Sequence, residues 1–258
     1  MNIQKKMLAA AIAATTAAAW CLPVAADNHE SGDDYMITMT EIGVTMGHGM
    51  EFRDGMKAYK ECYGEQGGED AWSAWWPIDG KLNTVTIVSR MDMWSEMGEQ
   101  DAASEECWSV VREQVWPHMD SVERRFAKRM SDWSGDAEGY TVVKLHQFRV
   151  ADGEVFREVV GEIAGHMKEA DYEHMGTWYD MVGNHRWEAD YFVVEHYADF
   201  AAMDEDRKGA DGILADAVGQ EEAAATWDRF GEALADMEPY WTTTLRRDDE
   251  LSFSPSDD

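Results

Sequence analysis

Basic residues are scarce: the 258-residue chain has 22 Lys and Arg against 52 Asp and Glu, a formal net charge of −30. Phosphate repels such a surface, which excludes nucleic acid and anionic lipid as partners. The acid is spread along the chain rather than gathered in a tail, and arginine exceeds lysine. That balance suits a surface kept hydrated in brine or seawater, as in a marine or halophilic bacterium, and predicts self-repulsion at low salt. Long apolar runs are also missing. Beyond the first 26 residues no stretch approaches the roughly 20 residues of a membrane-crossing helix, so the chain is not expected to span a bilayer. No glycine-rich nucleotide fingerprint follows a strand, and HExxH, GxSxG and the EF-hand spacing are absent. Acidic stretches such as Asp204-Glu-Asp206 read as solvated faces.

Cysteine is nearly absent, with three residues, Cys21, Cys62 and Cys107. The first lies in a segment with the marks of a secretory signal: Lys5 and Lys6, an alanine-rich apolar run from Met7 to Ala19, and the small-residue pattern Pro23-Val-Ala-Ala26. Residues 1–26 are therefore expected to be removed, giving a periplasmic or secreted protein with a flexible leader over 27–34. Lys5 and Lys6 leave with the signal and deepen the net charge to −32. Cys62 and Cys107 remain, an even pair in an oxidising compartment.

What the chain has in abundance is apolar material, 45% hydrophobic with 12 Trp and 17 Met, arranged twice over. Tyr35-Met-Ile-Thr-Met-Thr-Glu41 and Tyr140-Thr-Val-Val-Lys-Leu-His146 both read as strands. Each is followed by a glycine loop (Gly47 and Gly49; Gly153) and an amphipathic helix, Met50 to Tyr63 and Glu154 to Glu169. In the latter Val155, Phe156, Val159, Val160 and Ile163 form one stripe at spacings of three and four. Trp75-Trp-Pro-Ile-Asp-Gly80 parallels Trp178-Tyr-Asp-Met-Val-Gly183, and Thr84 to Trp94 parallels Asp190 to Phe200. Val85, Ile87, Ser89 and Met91 alternate with Thr84, Thr86, Val88 and Arg90, the period of a strand with two different faces. Each copy closes with a helical stretch (Ala102 to Val122; Ile213 to Met237) and a last strand (Arg125 to Trp133; Tyr240 to Leu251). The predicted fold is α+β, two βαββαβ repeats over 35–135 and 136–251, with a frayed end from Asp248 that leaves 252–258 as a tail.

This order resembles the dimeric α/β-barrel superfamily of ferredoxin-like units, typified by antibiotic-biosynthesis-type monooxygenases, NIPSNAP-like proteins and haem-degrading or chlorite-dismutase relatives. The resemblance covers nearly all of 35–251. It is carried by the element order, by Gly153-Glu-Val-Phe156 entering a helix, and by a third strand running into a short helix, Val193-Val-Glu-His-Tyr-Ala-Asp-Phe200 and Ile87-Val-Ser-Arg-Met-Asp-Met-Trp94. It implies sheets paired within one chain as a pseudo-dimeric barrel, either as a monomer or as a further homodimer. In that topology the end of the first helix and the start of the second share an edge, so Cys62 and Cys107 are placed where a bridge can form.

Candidate chemistry lies on the sheet and at the loops around it. Glu41 with its repeat partner His146, and Arg90 with its partner His196, are the candidate catalytic groups; Trp75, Trp76, Trp178 and Tyr179 are candidate walls of a ligand pocket. Glu195 and His196 must point to opposite faces. The resemblance implies a small-molecule-binding protein or a cofactor-independent monooxygenase-like enzyme; its haem-using members need an axial ligand, usually histidine. The alternative is a periplasmic copper protein. Met46-Gly-His48-Gly-Met50 sets two thioethers and an imidazole within five residues, soft donors suited to Cu(I). A chain cleaved after Ala26 begins Asp27-Asn-His29, an amine with histidine in third place that resembles amino-terminal Cu(II) motifs.

Overall fold

The computed structural model describes residues 34–183 and 188–255. The signal segment 1–26, the leader up to residue 33, the Asp27-Asn-His29 start and residues 256–258 lie outside the described residues. The fold is α+β, with eight antiparallel strands hydrogen-bonded in the order β1-β3-β2-β8-β5-β7-β6-β4 to form a closed barrel. The chain divides into two compact units, Tyr35–Ala127 with Arg246–Asp258, and Lys128–Leu245 with Asp34, so the division falls inside β4 and β8.

In the first unit β1 (Met36–Val44) pairs antiparallel with β3 (Thr84–Met91), Ile42 opposite Val85 and Thr40 opposite Ile87. On the other side of β3, β2 (Ser73–Pro77) places Ala74 opposite Ile87. Ile42, Val44, Val85, Ile87, Ala74 and Trp76 share one face, and α1 (Gly49–Glu65) packs on it through Phe52, Met56, Tyr59 and Tyr63. Their spacings of four, three and four make one stripe, and burial of each such side chain is worth about 1.5–3 kcal/mol.

The helix-rich stretch expected over Ala102 to Val122 is a series of short helical pieces that ends at His118. Helix α2 covers only Ala102–Glu106, capped by the Asp101 carboxylate on the Ala103 amide. A helical turn at Trp108–Val110, a π turn at Val111–Val115 and a 3-10 turn at Trp116–His118 follow. Pro117 has no amide hydrogen to continue an α-helical ladder. The π turn bulges against α1 at Gly55, where a Cβ would come within 2.1 Å of the Gln114 carbonyl oxygen. Strand β4 then starts six residues earlier than expected and runs Met119–Arg129; its exposed, polar opening hides the two-residue period. Cys62 and Cys107 form a disulfide with a Cα separation of 5.9 Å, joining α1 to the end of α2.

The segment from Asp248, expected to fray, is packed into this unit instead. The Asp248 amide donates to the Ala74 carbonyl, Trp72 and Phe253 exchange backbone hydrogen bonds, and the Trp72 Nε1 donates to the Leu251 carbonyl. Phe253 stacks on Trp72 with centroids 4.8 Å apart and meets Tyr63 edge-on. The buried Asp248 carboxylate takes Arg53 and, at 3.0 Å, the Trp76 Nε1. The acidic composition concealed Leu251 and Phe253, the two residues that tether the end.

The second unit repeats the order with β5 (Val142–Phe148), α3 (Gly153–Glu169), β6 (Thr177–Val182), β7 (Tyr191–Tyr197), α4 (Ala210–Val218), α5 (Gln220–Ala233) and β8 (Tyr240–Arg247). Asp152 caps α3 by accepting from the Glu154 and Val155 amides. The helix-rich stretch expected over Ile213 to Met237 consists of two helices, separated at Gly219, whose φ of +89° breaks the right-handed path.

Candidate functional site

Strand register decides which polar side chains share a face. In the second unit Phe148 lies opposite Tyr191, His146 opposite Val193 and Lys144 opposite Glu195. Trp178 lies opposite Val193 and Asp180 opposite Tyr191. Phe148, Tyr191, Val193 and Trp178 pack with Phe156 and Val160 of α3. His146, Lys144, Glu195 and Asp180 therefore belong to the helix-bearing face. His196, opposite Val143, belongs to the other. His146 thus keeps company with Glu195, and the two candidate histidines, His146 and His196, do not meet, because the pleat sends them to opposite faces.

His146 is held from both sides. Its Nδ1 is 2.5 Å from the Tyr240 hydroxyl, and the two rings stack. Its Nε2 is 3.0 Å from Glu195 Oε2, ion-pair distance, though not aligned as a hydrogen bond. The same Oε2 accepts the Tyr197 hydroxyl at 2.8 Å, and the Arg207 guanidinium lies over the Tyr197 ring. Burial pushes the Glu195 carboxyl up, but the His146 and Tyr197 contacts outweigh it and hold the group below the usual range, so it is ionised at neutral pH. Burial, then the Glu195 charge, raises the Tyr240 phenol; burial and the hydrogen bond to Glu195 push Tyr197 up to about 12. The His146 side chain is 18% exposed and Tyr240 46%, so solvent reaches the cluster. An imidazole between a carboxylate and a protonated phenol can move a proton to or from a third molecule.

A pocket of about 190 Å³ is lined by Val150, Gly153, Asp180, Met181, Asp190 and Tyr191 of the same unit. Asp190 is fixed there by the Val150 amide at 2.8 Å. Burial, with the neighbouring Asp190, raises the Asp180 carboxyl against the pull of Arg157.

The other expected site residues are scattered. Glu41 and Arg90 are in the first unit, on the face away from α1. Glu41 lies 3.7 Å from Lys81 and 3.9 Å from Arg125; Arg90 pairs with Asp92 and sits over the Tyr35 ring. Trp76 and Trp178 are packed beneath the helices of their units, Trp178 against Trp133, Phe148 and Phe156, whereas Trp75 and Tyr179 lie on the opposite faces. The expected repeat pairing is one residue out. Glu41 and His146 occupy opposite kinds of face, as do Trp75 and Trp178; measured back from Gly49 and Gly153, Ile42 matches His146, and by face Trp76 matches Trp178. A one-residue slip exchanges the faces of a strand.

Met46 and His48 lie on the exposed loop entering α1, and Met50 in its first turn. Among the described residues no three or more His, Cys, Asp or Glu side chains gather as metal ligands. No described helix is long and apolar enough to cross a membrane. His196 is deeply placed beside the Tyr140 ring, its Nδ1 buried without a hydrogen-bond partner, and burial lowers it to about 4. Sequence reasoning missed Tyr240, Tyr197 and His118. Tyr197 was findable, since it stands two residues from Glu195 on the same face. Tyr240 and His118 reach their partners from 94 and 70 residues away, a separation that no local pattern reports.

No family model matches the chain, and no curated protein matches it in sequence. Solved structures do resemble it. A Lactobacillus acidophilus protein provisionally named a monooxygenase superposes with a TM-score of 0.50 at 10% identity, over 87% of this chain and 100% of its own. Chlorite dismutase from Candidatus Nitrospira defluvii, in complex with imidazole, also gives 0.50 at 10% identity, over 86% and 94%. At such identity the likeness is one of fold alone.

Proposed function

We propose, on the premise of that fold, an exported small-molecule enzyme of the cofactor-independent, monooxygenase-like kind, a single-chain pseudo-dimer of two βαββαβ repeats whose proton-handling group is Tyr240, His146 and Glu195. The observation that carries the reading is His146 fixed between a phenol and an ionised carboxylate. With Glu195 ionised, the imidazole proton resides on Nε2 and Nδ1 accepts from Tyr240. A conjugated substrate then gives a C–H or O–H proton to the Tyr240 oxygen as the Tyr240 proton passes to Nδ1, and Glu195 stabilises the imidazolium. The substrate anion supplies its own electrons to O2, so that a methylene becomes a carbonyl and the second oxygen leaves as water. Export is supported by the amino-terminal pattern and by a disulfide of the kind that persists in oxidising compartments.

The test is oxygen uptake and tryptophan fluorescence on mature protein in high salt, against anthrone-, phenol- and enol-type compounds. Turnover that falls at least a hundredfold in Tyr240→Phe, with binding retained, supports the reading. Binding with no turnover by the wild type replaces the enzyme with a binding protein, and equal turnover by Tyr240→Phe removes the relay.

Haem is a second reading, favoured by one observation: the buried, neutral, unpartnered Nδ1 of His196, the kind of donor an axial iron ligand requires. His146 fits less well, because Tyr240 holds its Nδ1 and the Glu195 carboxylate stands 3.0 Å from its Nε2. Bound at His196, haem would supply oxygen and one-electron chemistry. A Soret band that is lost in His196→Ala supports this reading, and colourless protein after haem reconstitution refutes it.

A further inference from the structure

Packing does not account for Met46 of the β1–α1 loop and Met50 of the first turn of α1, which are 79% and 78% exposed. His48 stands between them at the start of α1, yet its side chain makes no cap. It turns instead to a residue 70 positions away: His48 Nδ1 is 2.9 Å from His118 Nδ1. The backbone fixes this meeting, since the Thr45 amide donates to the His118 carbonyl at 2.9 Å and the His48 amide to the Thr45 carbonyl at 2.9 Å. Gly47, at φ +88°, supplies the turn between them.

We propose that His48 and His118 form a copper site, binding the ion through their two Nδ1 atoms with the thioethers of Met46 and Met50 at its rim. Metal–imidazole bonds are about 2.0–2.1 Å, so two nitrogens at a right angle on one ion stand about 2.9 Å apart, against about 3.3 Å at a tetrahedral angle. The observed separation, that of a hydrogen bond between the two rings, is also short enough for one ion to take both nitrogens, as a tetragonal Cu(II) site requires. Without metal, one proton must sit between the two nitrogens; the ion takes its place, so binding releases that proton. The exposed thioethers of Met46 and Met50 add soft donors that retain Cu(I) after reduction and that zinc does not favour. All four residues belong to the first unit, so the site is independent of the Tyr240 relay.

The experiment titrates untagged mature protein with CuCl2 and with ZnCl2, in a His29→Ala background that removes the competing amino-terminal Asp27-Asn-His29 sequence. The expected result is one copper per chain, an electron paramagnetic resonance spectrum with hyperfine structure from two nitrogens, and at least tenfold weaker binding in His118→Asn with an unchanged circular dichroism spectrum. Met46→Leu/Met50→Leu should keep Cu(II) and lose affinity for Cu(I) at least tenfold. Undiminished Cu(II) binding by His118→Asn, a one-nitrogen spectrum, or zinc bound as tightly as copper would each overturn the proposal.

Discussion

Breaking the Cys62–Cys107 bridge gives a magnitude that follows from the structure. The bridge closes a loop with a sequence separation of 45. Loop-closure entropy for that length amounts to about 4 kcal/mol at 25 °C. Reduction with dithiothreitol removes only the crosslink, so it reads this quantity without altering packing. Cys62→Ala/Cys107→Ala removes the sulfurs as well, and because Cys107 is fully buried beside Val111 and Tyr59 the vacated volume adds about 1 kcal/mol. The assay is urea and thermal unfolding in high salt followed by tryptophan fluorescence, with and without reductant. At roughly 2–4 °C per kcal/mol the thermal midpoint should drop by about 8–16 °C on reduction and slightly further in the double variant. Coincident curves for oxidised and reduced protein, or two titratable thiols in unfolded but unreduced protein, would refute the reasoning.

Arg53→Ala should cost about 1–2 kcal/mol in the same unfolding assay, because it strips the guanidinium from the buried Asp248 carboxylate while the Trp76 Nε1 remains; the pair's partial exposure keeps the loss below that of a fully buried bridge. His196 carries a pH dependence. Its folded value, about 4, lies below the usual 6.5, so between those values the unfolded chain binds a proton that the native ring refuses. Stability should therefore be full above pH 6.5 and fall by about 3 kcal/mol as pH drops to 4, and His196→Phe should flatten that slope. Salt should raise the unfolding midpoint over the molar range, given the net charge of −30; a midpoint insensitive to salt would contradict the reading of the surface.

Much of the fold was legible because periods survive composition. The three- and four-residue stripe of α3 and the alternation in β3 identify helix and strand whatever the surface charge. Boundaries failed where a local device interrupts a period. Gly219 splits a helix whose residues on both sides still favour one, and Pro117 with the π turn ends another before the apolar pattern does. The end from Asp248 looked solvated because its acids outnumber Leu251 and Phe253, whose anchors, Trp72 and Tyr63, lie nearly two hundred residues earlier. For the site, sequence supplied His146 and Glu195 without pairing them. The alternation rule separated Glu195 from His196 correctly, yet only the β5–β7 register says which of the two His146 joins.

That register also explains why the relay is confined to one unit. The position in the first unit that matches His146 is Ile42, which is fully buried with Val85 under Phe52 and Met56. A histidine there would lose water on every side and gain no carboxylate, since Ile87 stands at the place that Glu195 takes on β7. The first unit commits its helix-bearing face to a closed core, locked by the disulfide and by the packed carboxyl-terminal segment. The second leaves the same face open enough for solvent to reach His146 and Tyr240, and it has no cysteine to lock it. On the proposed reading, two units of one element order divide stability from chemistry. Changes to Ile42, Phe52 or the disulfide should shift unfolding midpoints, whereas Glu195→Gln should leave the midpoint within about 1 kcal/mol, because a partly exposed pair stabilises weakly, and should weaken proton transfer by depriving the imidazolium of its counter-charge. A Glu195→Gln variant with full turnover would mean that the carboxylate merely fills its place on the sheet.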